Sequence, residues 1–195
     1  MGRRSDHSRA ELRAMIISEG QKQLSEVGYA RFSAREVAKR VGYSIGTIYN
    51  VFGTHDALML AINGQTLEHW RAHLEAKLAH AKEDRLRVAV EAYFEFAILY
   101  RNAWAAIYDF RLPENVDAPA DYAGKVADIT QLIVKEIATT LPQGRRDEAE
   151  ALARSLLASV HGHCVFTLNG TFKILSETNP LAAALSRVSE AIAPR

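Results

Sequence analysis

The sequence lacks several features that define other structural classes. Its only cysteine is Cys164, which has no partner for an internal disulfide, and no Cys/His array has zinc-finger spacing. No apolar run approaches the roughly 20 residues that span a bilayer, and the amino terminus has no apolar stretch typical of a signal peptide. We therefore expect a cytoplasmic protein with no membrane partner, stabilised by the packing of its apolar residues.

Patterns for enzymatic chemistry are also missing. We find no nucleophile with a base, no paired carboxylates and no Gly-rich phosphate loop. His161, His163 and Cys164 are residue types that bind metal ions. However, residues 161 and 163 of a helix point about 200° apart and cannot share one ion. Residues 161 and 164 can share an ion but supply only two ligands. The sequence predicts no catalytic residue, no metal site and no cofactor.

Helical periodicity is strong and strand alternation is nearly absent, which predicts an all-α fold of about nine helices. We expect the first helix over residues 9–27, ended by Gly28. Residues suited to capping precede several later helices. They are Ser33, Ser44, Thr54 with Asp56, Asp147 with Glu150, and Asn179 followed by Pro180.

Charge is distributed unevenly along the chain. Residues 1–53 carry nine lysines and arginines against five acidic residues, a net charge of +4, whereas the remainder carries −3. A basic amino-terminal segment followed by an acidic remainder indicates that the amino-terminal segment binds a polyanion. The alternative is a charged face that is merely solvated. We therefore predict a nucleic-acid-binding domain over residues 1–53 and a second domain over residues 54–195.

Two short predicted helices joined by "RVGYS" form a helix-turn-helix. Gly42 supplies the turn where a positive φ is needed, and Val37, Val41, Ile48 and Val51 fill the small core. This assignment leaves the opposite face of the third helix, including Ile45, available to a partner.

Gly46 lies two residues after the predicted N-cap Ser44, where glycine costs a helix about 1 kcal/mol relative to alanine. A residue without Cβ lets the unpaired backbone N–H groups of a helix start come close to a phosphate. The hydroxyls of Thr47 and Tyr49 suit phosphate contacts, and Asn50 suits a base edge. The alternatives are that Thr47 only caps its helix and that Tyr49 only packs on the fourth helix.

Ile45 precedes Gly46 and suits contact with a thymine methyl group in the major groove. A helical interaction module that does not bind DNA would leave Gly46, Thr47 and Tyr49 unexplained. We therefore favour DNA binding by this helix.

The stretch "FSAREVAKRVGYSIGTIYNVFGTHDAL", within residues 9–62, resembles the DNA-binding domain of TetR-family transcription regulators. The resemblance is specific because the pattern S-x-G-T-hydrophobic-Y-x-x-F continues into x-T-x-D-A-L. It implies that the third helix is the recognition helix in the major groove. It also implies phosphate contacts from five positions, which here are Ser33, Arg35, Thr47, Tyr49 and His55.

The sequence departs from the family pattern at a few positions. His55 replaces the usual lysine and weakens one phosphate contact, because histidine is mostly neutral at pH 7. Val51 stands where the family often has an aromatic residue. Gln21 and Gln23 replace leucines of the first helix, so we expect looser packing there.

Arg3 and Arg4 precede the first helix. In TetR-like regulators such an extension can reach along DNA, and a disordered solubilising end is the alternative.

The body of the chain also resembles the carboxy-terminal ligand-binding domain of some TetR relatives, through "AWAAIYDF" and "SLLASVHGHCVFTLNG". Aromatic residues at helical spacing are typical of a core, but they also line apolar pockets. We predict a small apolar or aromatic effector held by Phe94, Trp104, Tyr108 and His161.

A helix-turn-helix of this size reads only a few base pairs, so specificity requires two copies at a fixed separation. The resemblance implies a homodimer on an operator in double-stranded DNA, paired through the last two helices and usually acting as a repressor. Internal core packing is the alternative reading of the apolar stripes on these helices. The stripes comprise Leu152, Leu156, Ser159, Val160 and His163, and then Leu181, Ala184, Leu185, Val188 and Ile192.

Overall fold

The computed structural model describes residues 7–193, which form ten α-helices and two short 3₁₀ segments without a strand. The α-helices are α1 (Arg9–Val27), α2 (Ala34–Arg40), α3 (Ile45–Phe52), α4 (His55–His80), α5 (Arg85–Leu99), α6 (Arg101–Asp109), α7 (Ala120–Thr140), α8 (Ala149–Leu168), α9 (Thr171–Ile174) and α10 (Pro180–Ile192). The predicted all-α fold of about nine helices is confirmed, since α9 is a single turn of four residues. In residues 7–193, no helix combines the length and apolarity that a membrane span requires.

The helices form two compact units. In the described chain, the first unit contains residues 7–69 and 100–123, and the second contains residues 70–99 and 124–193. Neither unit ends at residue 53, the domain boundary that the sequence predicts; the first unit extends beyond the helix-turn-helix, and its α6 packs against α1. Residues 54–69 of α4 belong to the first unit as well.

The first unit has a continuous apolar core. Gly20 of α1 lets α4 approach closely, because a Cβ at this position would lie 2.5 Å from the Ile62 side chain. Burying these side chains away from water is the main force that holds the short helices together. The core includes Leu12, Ile16, Leu24, Val37, Ala38, Ile48, Leu58, Ile62, Ala106 and Phe110.

The first helix also carries a buried polar residue. Gln23 is 3% exposed, and its side-chain oxygen accepts a 3.1 Å hydrogen bond from the backbone N–H of Ser33. The expectation that Gln23 loosens the packing is therefore wrong, because the amide is both buried and hydrogen-bonded. Gln21 is half-buried.

Most predicted helix caps are confirmed. The side chains of Ser33, Ser44, Thr54 and Asn179 each accept a hydrogen bond from a backbone N–H three residues later. These bonds satisfy N–H groups that have no partner inside their own helix. The helix boundaries near these residues were predictable for that reason.

The predicted capping box at Asp147 and Glu150 is wrong. Residues Gln143–Glu148 already form a 3₁₀ segment that continues directly into α8. The residue before α8 is Glu148, which has helical backbone angles and makes no capping hydrogen bond with its side chain. The preceding turn therefore supplies the entry to α8, and Asp147 has no free helix start to cap.

In the second unit, α10 packs against α8 and α5. An ion pair strengthens this unit: the Arg85 guanidinium donates two 2.7 Å hydrogen bonds to the carboxylate of Glu136 on α7. Arg85 also donates to the carbonyl of Leu78 at 2.7 Å, near the end of α4. One side chain therefore joins the ends of α4 and α7 to the start of α5.

Candidate nucleic-acid interface

The helix-turn-helix is formed by α2, a short turn and α3. The turn reverses at Gly42, where φ is +77°, and the N–H of Tyr43 donates a 2.9 Å hydrogen bond to the carbonyl of Ala38. Val37 and Ile48 are buried, as predicted, whereas Val41 and Val51 are half-buried and pack against the core; Ala38 is buried as well. Packing of these residues holds the inner face of α3 against the core and leaves its outer face accessible to solvent.

The outer face of α3 presents several predicted DNA-binding residues. Gly46 and Asn50 are exposed, and Tyr49 is 39% exposed. Ile45 is half-buried and packs partly against the core, so less of its side chain is available for a thymine methyl group. The exposed set extends from the second to the sixth residue of this short helix.

Ser44 and Thr47 form the amino-terminal cap of α3. The hydroxyl oxygen of Ser44 accepts a 3.2 Å hydrogen bond from the Thr47 N–H and lies 3.0 Å from the Thr47 hydroxyl oxygen. Ser44 is therefore the N-cap, and the Thr47 hydroxyl lies beside the capping oxygen. The N–H groups of Ile45 and Gly46 belong to the first turn, where no earlier helical carbonyl is available to them.

The space around Gly46 shows that the protein's own packing does not require glycine there. A Cβ at this position would meet only the Ser44 hydroxyl oxygen at 3.6 Å, which is an ordinary van der Waals distance. At this exposed surface, the missing Cβ lets a partner approach the backbone N–H groups more closely.

Basic residues of α2 differ in their availability. The Arg40 guanidinium forms hydrogen bonds of 3.1 and 2.7 Å with the Glu26 carboxylate, which lower the pKa of Glu26. Arg35 and Lys39 are exposed and form no ion pair with any side chain in residues 7–193. Arg35, a predicted phosphate contact, therefore keeps its charge unneutralised by a neighbouring carboxylate.

Ser33 and His55 complete the predicted phosphate-binding set. The Ser33 hydroxyl caps α2 through the Glu36 N–H at 3.4 Å. His55 begins α4, where its ring lies edge-on to Phe32 with centroids 6.1 Å apart. Its Nδ1 is 3.8 Å from a carboxylate oxygen of Asp56, so an acidic group lies beside this position.

Two arginines of α1 that no sequence motif indicates lie next to α3. Arg9 contacts backbone carbonyls near the end of α3, and Arg13 lies over the ring of Phe52. These arginines and their partners on α3 are about 40 positions apart in the sequence and come together only in the tertiary structure. No local sequence signal therefore identifies the arginines. Arg3 and Arg4 lie outside the described residues.

The predicted effector residues fall in both units. Phe94 on α5 and His161 on α8 belong to the second unit, whereas Trp104 and Tyr108 belong to α6 of the first, with ring centroids 5.4 Å apart. Phe94 and Trp104 are buried, His161 is half-buried, and Tyr108 is 42% exposed. Two of the four predicted residues therefore belong to each unit.

An apolar cavity of about 40 Å³ lies within the second unit. None of the four predicted residues is among its described lining, but Tyr93 lines it and its hydroxyl oxygen lies 2.9 Å from Nδ1 of His161. Burial lowers the pKa of His161, which favours its neutral form. The lining comprises Trp70, Leu74, Leu86, Ala89, Val90, Tyr93, Ile133, Ile137, Leu156, Leu157, Val160 and Val188.

In residues 7–193, no group of three or more His, Cys, Asp or Glu side chains is arranged to hold a metal ion. Cys164 is buried, which raises the pKa of its thiol to about 12.

The fold and the exposed third helix define a helix-turn-helix DNA-binding regulator. Residues 16–62 match the family described as bacterial regulatory proteins of the tetR family, and residues 86–188 match the tetracyclin repressor-like carboxy-terminal domain. The chain belongs to the TetR family and is a DNA-binding transcriptional regulator.

Individual relatives agree with this assignment. The chain is 27% identical over 142 residues to an uncharacterised HTH-type transcriptional regulator of Mycobacterium tuberculosis, covering 68% of this chain and 73% of that protein. Solved structures of other proteins share the fold. A Rhodococcus sp. RHA1 protein of unknown function has a TM-score of 0.74 and 19% identity, with 100% of both chains covered.

The second structure is the multidrug binding protein EbrR complexed with imidazole, with a TM-score of 0.66 and 19% identity over 97% of this chain and 98% of that chain. The third is BioQ with its double-stranded DNA operator, with a TM-score of 0.62 and 13% identity over 95% and 99% of the two chains.

Proposed function

We propose that the protein is a repressor that acts in the cytoplasm, binds a palindromic operator as a homodimer and is released by a small apolar or aromatic effector. The observation that carries the DNA-binding part is the outer face of α3. There Gly46, Tyr49 and Asn50 are exposed, and the glycine has no role in the protein's own packing. BioQ, which shares the fold, was solved with its DNA operator.

In this proposal, phosphates lie against the start of α3 and along α2. The Ile45 and Gly46 N–H groups and the positive end of the helix dipole attract phosphate. Ser33, Arg35, Tyr49 and His55 add side-chain contacts to the DNA backbone. These contacts position the protein on the duplex without reading sequence.

Sequence is read in this proposal by the outer face of α3. Asn50 meets a base edge, and the exposed part of Ile45 meets a thymine methyl group. Ser44 and Thr47 keep the helix start in the capped geometry that turns its N–H groups outward, and the Thr47 hydroxyl adds a phosphate contact.

The homodimer is proposed to pair through α8 and α10. Within each stripe, Leu156, Val160, Ala184 and Val188 are buried inside the unit. Other apolar residues of the same stripes are only half-buried and remain available to a partner subunit. These are Leu152, Leu181, Leu185 and Ile192. Phe166 of α8 is also 41% exposed.

The effector is proposed to bind in the second unit at the apolar cavity. Tyr93 lines this cavity, and its hydroxyl group is hydrogen-bonded to the His161 ring. At about 40 Å³ the cavity is far smaller than the roughly 300–1,000 Å³ of drug-sized pockets, so binding requires the lining to rearrange. Phe94 remains a proposed member of the enlarged site, whereas Trp104 and Tyr108 belong to the first unit and are not part of this proposed cavity. An effector that favours the rearranged state shifts the population away from DNA-binding molecules.

Selection of duplexes from a random pool by the full-length protein tests the DNA-binding proposal. We expect inverted half-sites about 10 base pairs apart or a multiple of this spacing. The logarithm of the binding constant is expected to fall steeply with salt between about 50 and 200 mM. A flat salt response and no selected sequence would contradict the proposal and favour an interaction module.

The remaining parts have separate tests. Sedimentation of the free protein gives its oligomeric state, and a monomer at all concentrations would contradict the homodimer. For the effector, we expect a neutral aromatic compound in a melting screen to raise the melting temperature and to weaken binding of the selected duplex about fivefold to 150-fold. A compound that stabilises the protein without weakening the duplex is not the proposed effector.

A further inference from the structure

His7 and the start of α1 contact the turn that precedes α3 and the last turn of α3 itself. At the amino-terminal end, Nδ1 of His7 lies 2.9 Å from the hydroxyl oxygen of Tyr43, the residue before the Ser44 cap. At the carboxy-terminal end, Arg9 and Arg13 contact residues in the last turn of α3. We use the name α1 clamp for His7, Arg9 and Arg13.

Arg9 places its charge beside the carbonyl groups of the last turn of α3. Its Nη2 lies 3.4 Å from the Asn50 carbonyl oxygen and 3.5 Å from that of Val51. These distances are long for hydrogen bonds, so the main interaction is a cation facing the negative end of a helix dipole. Arg9 therefore holds the backbone of Asn50, whose side chain is proposed to read a base.

Arg13 acts on the next residues of the same turn. Its guanidinium carbon lies 5.4 Å from the centre of the Phe52 ring, which is within the range of a cation–π contact. Phe52 is half-buried and packs against the core of the first unit. The arginine therefore covers the last residue of α3 from the solvent side.

The clamp has a fixed base. The Ser8 hydroxyl accepts a 3.2 Å hydrogen bond from the Glu11 N–H, and the Ser8 N–H donates a 2.7 Å bond to the Glu11 carboxylate. This capping box fixes the start of α1 between His7 and Arg9. By contrast α3 has only eight residues, which is too short to be stable without tertiary contacts.

We infer that the α1 clamp consists of positioning residues that set the orientation of α3 for base recognition. This inference rests on the proposed function, in which α3 reads DNA. Because Arg9 faces carbonyl groups and Arg13 faces an aromatic ring, their charges act on α3 itself. Loss of a clamp residue lets α3 shift, which affects base contacts that need a defined geometry more than it affects phosphate contacts.

The test uses full-length Arg9→Gln and Arg13→Gln variants with a duplex selected by the wild-type protein and a random duplex. For each variant we expect cognate affinity to fall roughly threefold to tenfold, equivalent to about 0.7–1.4 kcal/mol. Random-duplex affinity and the salt dependence are expected to stay within experimental error of the wild type. Arg9→Lys, which keeps the charge without the planar guanidinium, is expected to restore part of the discrimination.

Two control variants distinguish positioning from other roles. Arg35→Gln, at a proposed phosphate contact, is expected to weaken both duplexes alike and to reduce the salt slope by about 0.9. Arg154→Gln removes an exposed charge from α8 and is expected to change neither the affinity for the two duplexes nor the salt slope. If Arg9→Gln behaves like Arg35→Gln, Arg9 contacts phosphate and the positioning role is wrong.

Melting temperatures complete the test. A clamp variant that melts much earlier and loses both duplexes is merely destabilised, which contradicts a positioning role. Unchanged discrimination in both single variants and in the double variant also overturns the inference. If the wild-type protein itself selects no sequence, the proposed function fails and the inference fails with it. If the wild-type protein selects a sequence and the variants discriminate equally well, only the inference fails.

Discussion

The side-chain oxygen of Gln23 accepts a hydrogen bond from the backbone N–H of Ser33, which ties α1 to the cap of α2. The Ser33 hydroxyl in turn accepts from the N–H of Glu36. A residue of α1 therefore fixes the first turn of the helix that carries Arg35.

Replacement of Gln23 by leucine removes this bond and leaves the partly buried Ser33 N–H without its protein partner. We expect the free energy of unfolding to fall by about 1–3 kcal/mol, which is the cost of an unsatisfied buried donor. Urea denaturation measures the change. Gln21→Leu is the matched control, because Gln21 is only half-buried, and it is expected to change stability by less than about 0.5 kcal/mol. Equal effects would show that the hydrogen bond is unimportant.

Gly46→Ala separates folding from function at the start of α3. Because an added Cβ meets only the Ser44 hydroxyl oxygen at 3.6 Å, the variant is expected to fold and to gain up to about 1 kcal/mol of stability. Its affinity for both cognate and random duplexes is expected to fall, since the methyl group holds phosphate away from the backbone. Melting curves and fluorescence anisotropy test the two effects. A more stable variant with unchanged DNA affinity would show that no phosphate lies against this backbone.

The sequence predicts those parts of the helix-turn-helix that local rules determine. Ser44 caps α3 because a serine hydroxyl reaches the N–H three residues later, and Gly42 turns the chain because glycine adopts a positive φ. Long-range partners do not follow such rules. Nothing near Arg9 in the sequence indicates the Asn50 carbonyl, and nothing near Gln23 indicates the N–H of Ser33.

The capping box predicted at Asp147 failed for a related reason. The sequence contains suitable residues at the correct spacing, but the preceding residues already turn as a 3₁₀ segment. Arg145 stabilises this segment by donating to the Glu148 carboxylate at 3.0 and 2.9 Å and to the carbonyl of Ala193 at 2.8 Å. Arg145 therefore links the segment before α8 to the end of α10, a contact that the local sequence does not indicate.

Tyr49→Phe and Asn50→Ala are expected to affect DNA binding in different ways. Loss of the Tyr49 hydroxyl removes a proposed phosphate contact and weakens all duplexes by a similar factor. Loss of the Asn50 amide removes a proposed base contact, which is worth about 1–3 kcal/mol of discrimination when bidentate. Competition between selected and random duplexes measures both. Equal effects of Asn50→Ala on the two duplexes would exclude its role in reading bases.

The ion pair between Arg85 and Glu136 is expected to be a major contributor to the stability of the second unit. Glu136 is 4% exposed, so Glu136→Gln leaves the Arg85 guanidinium beside a neutral group in a largely buried site. We expect a loss of about 2–3 kcal/mol, below the 3–5 kcal/mol typical of a fully buried pair because the Arg85 side chain is 41% exposed. Denaturant unfolding tests this, with Glu75→Gln as control. Its exposed pair with Arg71 is expected to contribute less than about 0.5 kcal/mol.

His161 is expected to make the stability of the second unit depend on pH. Burial lowers the pKa of His161 in the folded protein below its ordinary value of 6.5. As the pH falls below about 6.5, the unfolded chain binds a proton more readily than the folded protein, so the free energy of unfolding decreases until the lowered pKa is passed. Well above pH 6.5 both states are neutral at this position, and its contribution does not change with pH.

The comparison of wild type with His161→Gln between pH 8 and pH 5 tests this dependence. Other groups titrate in the same range, including His73, whose pKa is also lowered by burial, so the difference between the two proteins is the informative quantity. We expect the wild type to lose more stability on acidification than the variant. Urea unfolding curves at each pH provide the measurement. Parallel stability profiles would show that His161 is no harder to protonate in the folded protein than in the unfolded chain.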